Sequence, residues 1–258
     1  MRKPAVLLGA GAAFFALVAI AVASVTPTVT YNSPISQKTR PKPGKPANIT
    51  YTGILDVHNS DGTQPDTAPI TKLYFAKQFI NNARYFPSCK ASQINGKAVI
   101  PAKCKKAQIG QGTATSQAGS PGAPTLLPEN LTVRAFNGSR GRQLLLVLFA
   151  TAPVPITNRV IPGTISRSSG QFGYIVTFRV PSDLQRVSGF QVALTHFNVK
   201  IGSRKTVTVR GRRVSYLQLK SCPRSKKLPV KAVLNFNNDA GQPGGPTVPF
   251  STTTPCKR

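Results

Sequence analysis

Along most of the chain apolar and polar side chains alternate one for one, the period of a strand with one dry face and one wet face. Ile49-Thr50-Tyr51-Thr52 opens such a run, and Ile70-Thr71-Lys72-Leu73-Tyr74-Phe75 is a second. Leu131-Thr132-Val133-Arg134-Ala135-Phe136 alternates cleanly and meets Asn137-Gly138, a strong turn signal. Leu144 to Phe149 is continuously apolar and predicts a strand buried on both faces. Further strands are predicted over Tyr174–Val180, Phe190–Thr195, Thr206–Val209, Val214–Leu219 and Val230–Phe236, with one short helix or turn around Ala76 to Asn82. Beyond the N-terminus no window repeats apolar residues at i, i+3, i+4 and i+7. With 21 Gly and 23 Pro as punctuation, the expectation is an all-β fold, an antiparallel β-sandwich or jelly-roll-like body of one or two sheet pairs.

The N-terminus breaks this pattern. Arg2 and Lys3 precede an uncharged apolar run from Ala5 to Ala23 that ends Ala21-Val22-Ala23. A short positive region, an apolar region and a small-x-small terminus together predict a signal peptide over residues 1–23. An uncleaved anchor is the rival, since the run is just long enough to span a bilayer. Either way the chain is expected to be exported, secreted or held at the cell surface, and to meet the membrane only through this segment. Residues 24–46 interleave five prolines with Lys38, Arg40, Lys42 and Lys45. They predict an extended cationic tether, leaving residues 47–258 as the folded body. The Gly/Ser/Thr/Ala/Pro-rich stretch 112–128 is a candidate seam within that body.

All four cysteines, Cys89, Cys104, Cys222 and Cys256, follow the signal. An even count in an exported chain predicts two disulfides. Three pairings exist. Cys89–Cys104 and Cys222–Cys256 close the shortest loops and are preferred. Zinc is disfavoured, because there is no C-x-x-C and no histidine at ligand spacing.

Charge changes the picture most. There are 34 Lys+Arg against 6 Asp+Glu, a formal charge of +28. From Leu184 to Asn238 no acid occurs. Lys200, Arg204, Lys205, Arg210, Arg212 and Arg213 cluster around the turn Arg210-Gly211-Arg212-Arg213 and are the candidate polyanion-binding residues. The partner this predicts is an anionic wall polymer or lipid headgroup. Nucleic acid is disfavoured, as only Tyr216 and Phe197 offer rings for base stacking nearby.

Candidate chemistry is sparse, and no cofactor or metal is called for. Asp56-Val57-His58-Asn59-Ser60-Asp61-Gly62, with Asp66 behind it, holds half of the acids. It fails the EF-hand register, having His58 third and Asp61 sixth; an irregular calcium site on a β-loop is the lesser reading and a solvated turn the preferred one. No G-x-S-x-G, S-x-x-K or H-E-x-x-H occurs. Leu217-Gln218-Leu219-Lys220-Ser221-Cys222-Pro223-Arg224 is faintly similar to a sortase cysteine strand, but the histidine context is absent and Cys256 is available to oxidise the thiol. Gly110-Gln111-Gly112 lacks the third glycine and the helix of a dinucleotide site and predicts a bulge or tight bend. His196 alternates within an apolar strand and reads as half-buried or surface. No catalytic residue is assigned. Two alternatives stand beside the cationic reading. One is a carbohydrate-active or hydrolytic enzyme gathering Asp56, His58 and a distant Asp183. The other is an adhesive or structural module binding protein through a strand edge.

Cys89 … Cys104-Lys105-Lys106-Ala107-Gln108-Ile109-Gly110-Gln111-Gly112-Thr113-Ala114, Phe136-Asn137-Gly138, Tyr216-Leu217 … Cys222-Pro223 and Thr253-Thr254-Pro255-Cys256 together resemble a group of uncharacterised, exported, disulfide-containing β-rich proteins of soil actinobacteria. The resemblance spans most of the exported chain. It implies no activity or catalytic residue; it implies a bacterial host, a wall polymer rather than a glycosylated matrix, and the local cysteine pairing. The expectation is therefore a non-enzymatic cationic β-protein at an anionic cell envelope.

Overall fold

The computed structural model describes residues 25–124, 127–202, 206–238 and 240–257. The predicted signal segment lies outside the described residues. Seventeen described strands follow in order: β1 (Thr28–Asn32), β2 (Ile35–Gln37), β3 (Ala47–His58), β4 (Ile70–Ala76), β5 (Phe79–Asn81), β6 (Gln108–Gly119), β7 (Leu127–Asn137), β8 (Gln143–Ala150), β9 (Ile156–Arg167), β10 (Phe172–Arg179), β11 (Arg186–Val187), β12 (Phe190–Ile201), β13 (Thr206–Val209), β14 (Arg212–Ser215), β15 (Leu217–Leu219), β16 (Lys227–Asn237) and β17 (Pro243–Pro255). The only described α-helix is one turn, α1 (Ala102–Lys105). Around Ala76 to Asn82 the chain makes a two-residue turn between β4 and β5, and a 3-10 turn follows at Ala83–Tyr85. No described helix is long and apolar enough to cross a membrane.

The fold is all-β and antiparallel. Fifteen strands form one sheet in the order β17-β16-β4-β10-β9-β8-β7-β6-β12-β3-β15-β5, with β1 and β2 also on β3 and β11 on β12. Hairpin β13–β14 is a separate two-stranded sheet. The layers expected of a sandwich are therefore two halves of one sheet folded on itself. Val29, Tyr31, Ile49, Tyr51 and Leu55 from one end of the strand order share a buried cluster with Leu228, Val230, Ala232, Leu234 and Phe236 from the other. β1 packs beside β17, but no ladder joins them.

Other bonds close this incomplete barrel. Cys222, just after β15, is bonded to Cys256, just after β17. Gln37 at the end of β2 donates its amide to the Lys257 carbonyl and accepts from the Lys257 N–H, both at 3.0 Å. The covalent and polar clasp thus joins strands from opposite ends of the sheet order.

Two boundaries differ from the sequence expectation. The stretch 24–46, expected as a solvated tether, supplies β1 and β2, which pair with β3. Val29 and Tyr31 alternate inward and are buried, so two short apolar pairs between prolines suffice to dock this segment. The stretch 112–128, weighed as a seam, contributes Gly112–Gly119 to β6 and residues 127–128 to β7, which pair with each other.

Strand β8 is buried on both faces for a specific reason. Leu144, Leu146 and Leu148 point into the barrel. Leu145 and Val147 point outward, under a flap of residues 86–107 stapled by Cys89–Cys104, with Ile94, Ile100 and Ala107 against them. Asn137, fully buried at the end of β7, fixes the flap's root by donating its side-chain amide to the carbonyls of Ala83, Phe86 and Pro87 at 3.0–3.2 Å.

Candidate anion-binding end of the barrel

The strand hairpin β13–β14 turns at Arg210-Gly211, both at positive φ, the geometry of a tight two-residue hairpin loop. Arg210, Arg212 and Arg213 are exposed on it. Arg212 donates to the Gly44 carbonyl at 3.1 Å, and Arg213 donates to the Thr206 hydroxyl at 3.1 Å. Neither bond neutralises a guanidinium. Lys200 lies on β12 and is exposed, opposite Thr52 and Gln111. Arg204 and Lys205 lie outside the described residues.

The root of the hairpin is tied to a second set of cations that sequence reading missed. Ser215 offers its carbonyl to the Asn82 side-chain amide at 2.9 Å, and the Asn82 N–H donates to the Tyr216 carbonyl at 2.9 Å. Asn81 and Ala83, on either side of Asn82, line a recess of about 460 Å³. Arg84, Arg142, Arg167 and Tyr174 also line it. Those arginines come from a 3-10 turn, the β7–β8 connection and the end of β9, more than twenty residues apart at the closest. No local spacing could have grouped them; only the register of β8, β9 and β10 does. Arg84 also lies over the Tyr85 ring, 4.6 Å from its centroid.

The acids are committed elsewhere. Asp183 pairs with Arg159. Asp56 on β3 sits opposite His196 on β12, with Oδ1 2.6 Å from His196 Nδ1, and both groups are half-exposed. His196 lies next to a bulge that inserts Thr195 into the β6–β12 ladder. Asp61 accepts from the Thr63 hydroxyl at 2.6 Å and the Thr63 N–H at 3.0 Å, which lowers its pKa below the ordinary carboxylate value. That is a turn-stabilising role, as the solvated-turn reading expects. Asp66 and Glu129 are buried, and Asp239 lies outside the described residues. Among the described residues, no acid lines the recess.

The alternatives meet these facts. None of the cavities described here is lined by Asp56, His58 or Asp183. No group of three or more His, Cys, Asp or Glu among the described residues could hold a metal ion. Cys222 is in a disulfide, so the faint sortase likeness carries no described thiol. One end of the strand order, β17, carries prolines 243, 246, 249 and 255, which blunt strand addition along that edge. Gly110-Gln111-Gly112 lies in β6, beside a register shift at Gln108/Gly110. A Cβ on Gly112 would come within 1.9 Å of the Asn198 carbonyl oxygen, so its role is close approach of two backbones. Comparison with protein families, with curated proteins and with solved structures finds no match.

Proposed function

We propose that this is an exported, non-enzymatic protein that holds an anionic polymer of the cell envelope at the end of the barrel carrying Arg84, Arg142 and Arg167 and the hairpin arginines. Two disulfides are of the kind that form and persist in oxidising compartments. The N-terminal sequence supplies the export route. The observation that carries the reading is three guanidiniums around one concave recess, tied through Asn82 to the root of an arginine hairpin, with no acid among the described residues lining the recess. Guanidinium forks match phosphate and carboxylate oxygens and stay charged at every physiological pH. A recess gives them a shared focus that a convex basic surface lacks. Lys200, exposed on β12, adds a further positive charge to the surface.

The test is calorimetric titration with inorganic polyphosphate at fixed salt. The triple variant R84Q/R142Q/R167Q is compared with a control that removes three charges from other surfaces, K97Q/K103Q/R179Q. The site reading expects the first to lose at least tenfold more affinity than the second. Equal losses would leave only a general positive potential and overturn it.

A further inference from the structure

Inside the barrel, away from the arginine recess, the walls do not close. β6 turns Gly110, Gly112, Ala114, Ser116 and Ala118 inward, as the ladders with β7 and β12 show. A strand whose inner face carries almost no side-chain volume leaves space that its neighbours must fill, and here they fill it incompletely. A cavity of about 130 Å³ opens between β6, β7, β9 and β12, and a second of about 90 Å³ continues it inward. Thr71, Leu131, Leu148, Ile161, Val180 and Leu194 line both. Leu194, Ile161 and Phe197 remain only partly buried although they point to the interior. An apolar cavity of roughly 150 Å³ is enough to take up a benzene-sized molecule.

Among apolar residues and the hydroxyls of Thr67, Thr71 and Ser116, the first cavity is lined by one ionisable residue. Glu129, on β7, is 5% exposed. One carboxyl oxygen accepts from the Val154 N–H at 2.9 Å; the other has no hydrogen-bond partner. Ser116 lies directly opposite on β6, facing the same space. Buried carboxyl oxygens are seldom left without a donor, because desolvation is then uncompensated. A donor arriving with a ligand would supply what the chain does not. The formal charge of +28 repels a cation on approach, and a carboxylate ligand would face Glu129 with like character. The remaining class is an uncharged donor.

We infer that this cavity binds an uncharged apolar molecule bearing a hydroxyl group, with the hydroxyl donating to Glu129 and the apolar part lying between Leu131, Leu148, Ile161 and Leu194. This inference is independent of the polyanion reading, since it uses none of the arginines.

The test is calorimetric titration of the full chain with 1-octanol, with the donor-less heptyl methyl ether and with octanoate. Octanol is expected to bind about tenfold to a hundredfold more tightly than the ether, the range for a hydrogen bond to a carboxyl group, and octanoate more weakly than octanol. E129L should erase the octanol preference, and A118L, which fills the cavity from β6, should weaken both neutral probes. Should E129L fail to fold, the wild-type octanol-to-ether ratio and A118L decide the matter alone. Absence of octanol binding, equal binding of octanol and ether, or no effect of A118L on either probe would overturn the inference.

Discussion

Replacing Cys222 and Cys256 together by alanine tests how this barrel is closed. The bond spans 34 residues of chain and joins β15 to β17, strands from opposite ends of the sheet order. Loop-closure entropy for that length is worth about 4 kcal/mol, against about 3 kcal/mol for the 15 residues between Cys89 and Cys104. In a body of this size one kcal/mol moves the melting temperature by about 2–4 °C, so C222A/C256A should melt about 8–15 °C lower. The loss should also be local. β17 pairs only with β16 and buries little of its own surface. With the disulfide gone its C-terminal end is held by the β16 ladder, the Cys256 N–H donating to the Lys226 carbonyl and the two Gln37–Lys257 bonds, each hydrogen bond worth about 1 kcal/mol. Scanning calorimetry measures the first effect, and hydrogen exchange of the β17 amides measures the second. An unchanged melting temperature with β17 still protected would refute closure by this clasp.

Burial raises the pKa of Tyr31, Tyr51 and Tyr216 above the ordinary phenol value, with the Tyr31 hydroxyl adding to the effect on Tyr51. The folded state keeps protons that the unfolded chain releases above about pH 10, so stability is full below that pH and falls above it, by at most about 1.4 kcal/mol per pH unit per tyrosine; urea titrations between pH 9 and 11.5 should show the fall, and Y216F should reduce its slope. N137A leaves the carbonyls of Phe86 and Pro87 without this donor, and that of Ala83 with only the Phe86 N–H, and should cost about 3 kcal/mol by chemical denaturation, with faster proteolysis of the 86–107 flap. G112A, which brings a methyl against the Asn198 carbonyl oxygen, should cost about 3 kcal/mol or more by overpacking, whereas an exposed turn glycine with open space at its Cβ, Gly170, should cost less when replaced by asparagine, a residue that tolerates its positive φ.

Most strands were legible because alternation is written into single segments. The ladder positions of β3, β4, β7, β8, β10, β12 and β16 coincide with the alternating or continuously apolar runs. The local disulfide pairing was legible from loop length. What escaped depends on partners distant in sequence. β17, with prolines at 243, 246, 249 and 255, is not among the strands predicted from alternation; it is a strand because an edge position leaves ladder donors unneeded on one side. β1 and β2 read as a tether because five prolines outweigh Val29 and Tyr31. β6 reads as low-complexity sequence because its inward residues are small, and smallness there follows from the close approach of β12 and the space between the sheet's two halves. Bulges at Gln108/Gly110 and Leu194/His196 shift which residues face inward, a change that a fixed period of two does not anticipate.

The candidate site was legible only in its hairpin half. Arg210, Arg212 and Arg213 are adjacent in sequence, so their density was visible at once. Arg84, Arg142 and Arg167 are isolated cations in their own segments, and the recess exists because the β7–β8 connection, the end of β9 and the turn after β5 meet at one end of the barrel. Glu129 likewise looks like one acid in an alternating strand; its interest comes from the space it faces.

Retention on isolated anionic cell-wall material across a salt series measures the central claim most directly. The wild-type chain should be held at low ionic strength and released steeply as salt rises, because the attraction acts through partly exposed charges screened within about 10 Å at 0.1 M. R84Q/R142Q/R167Q should elute at lower salt than K97Q/K103Q/R179Q at the same net charge. Retention that ignores salt, or identical elution of the two variants, would contradict the account.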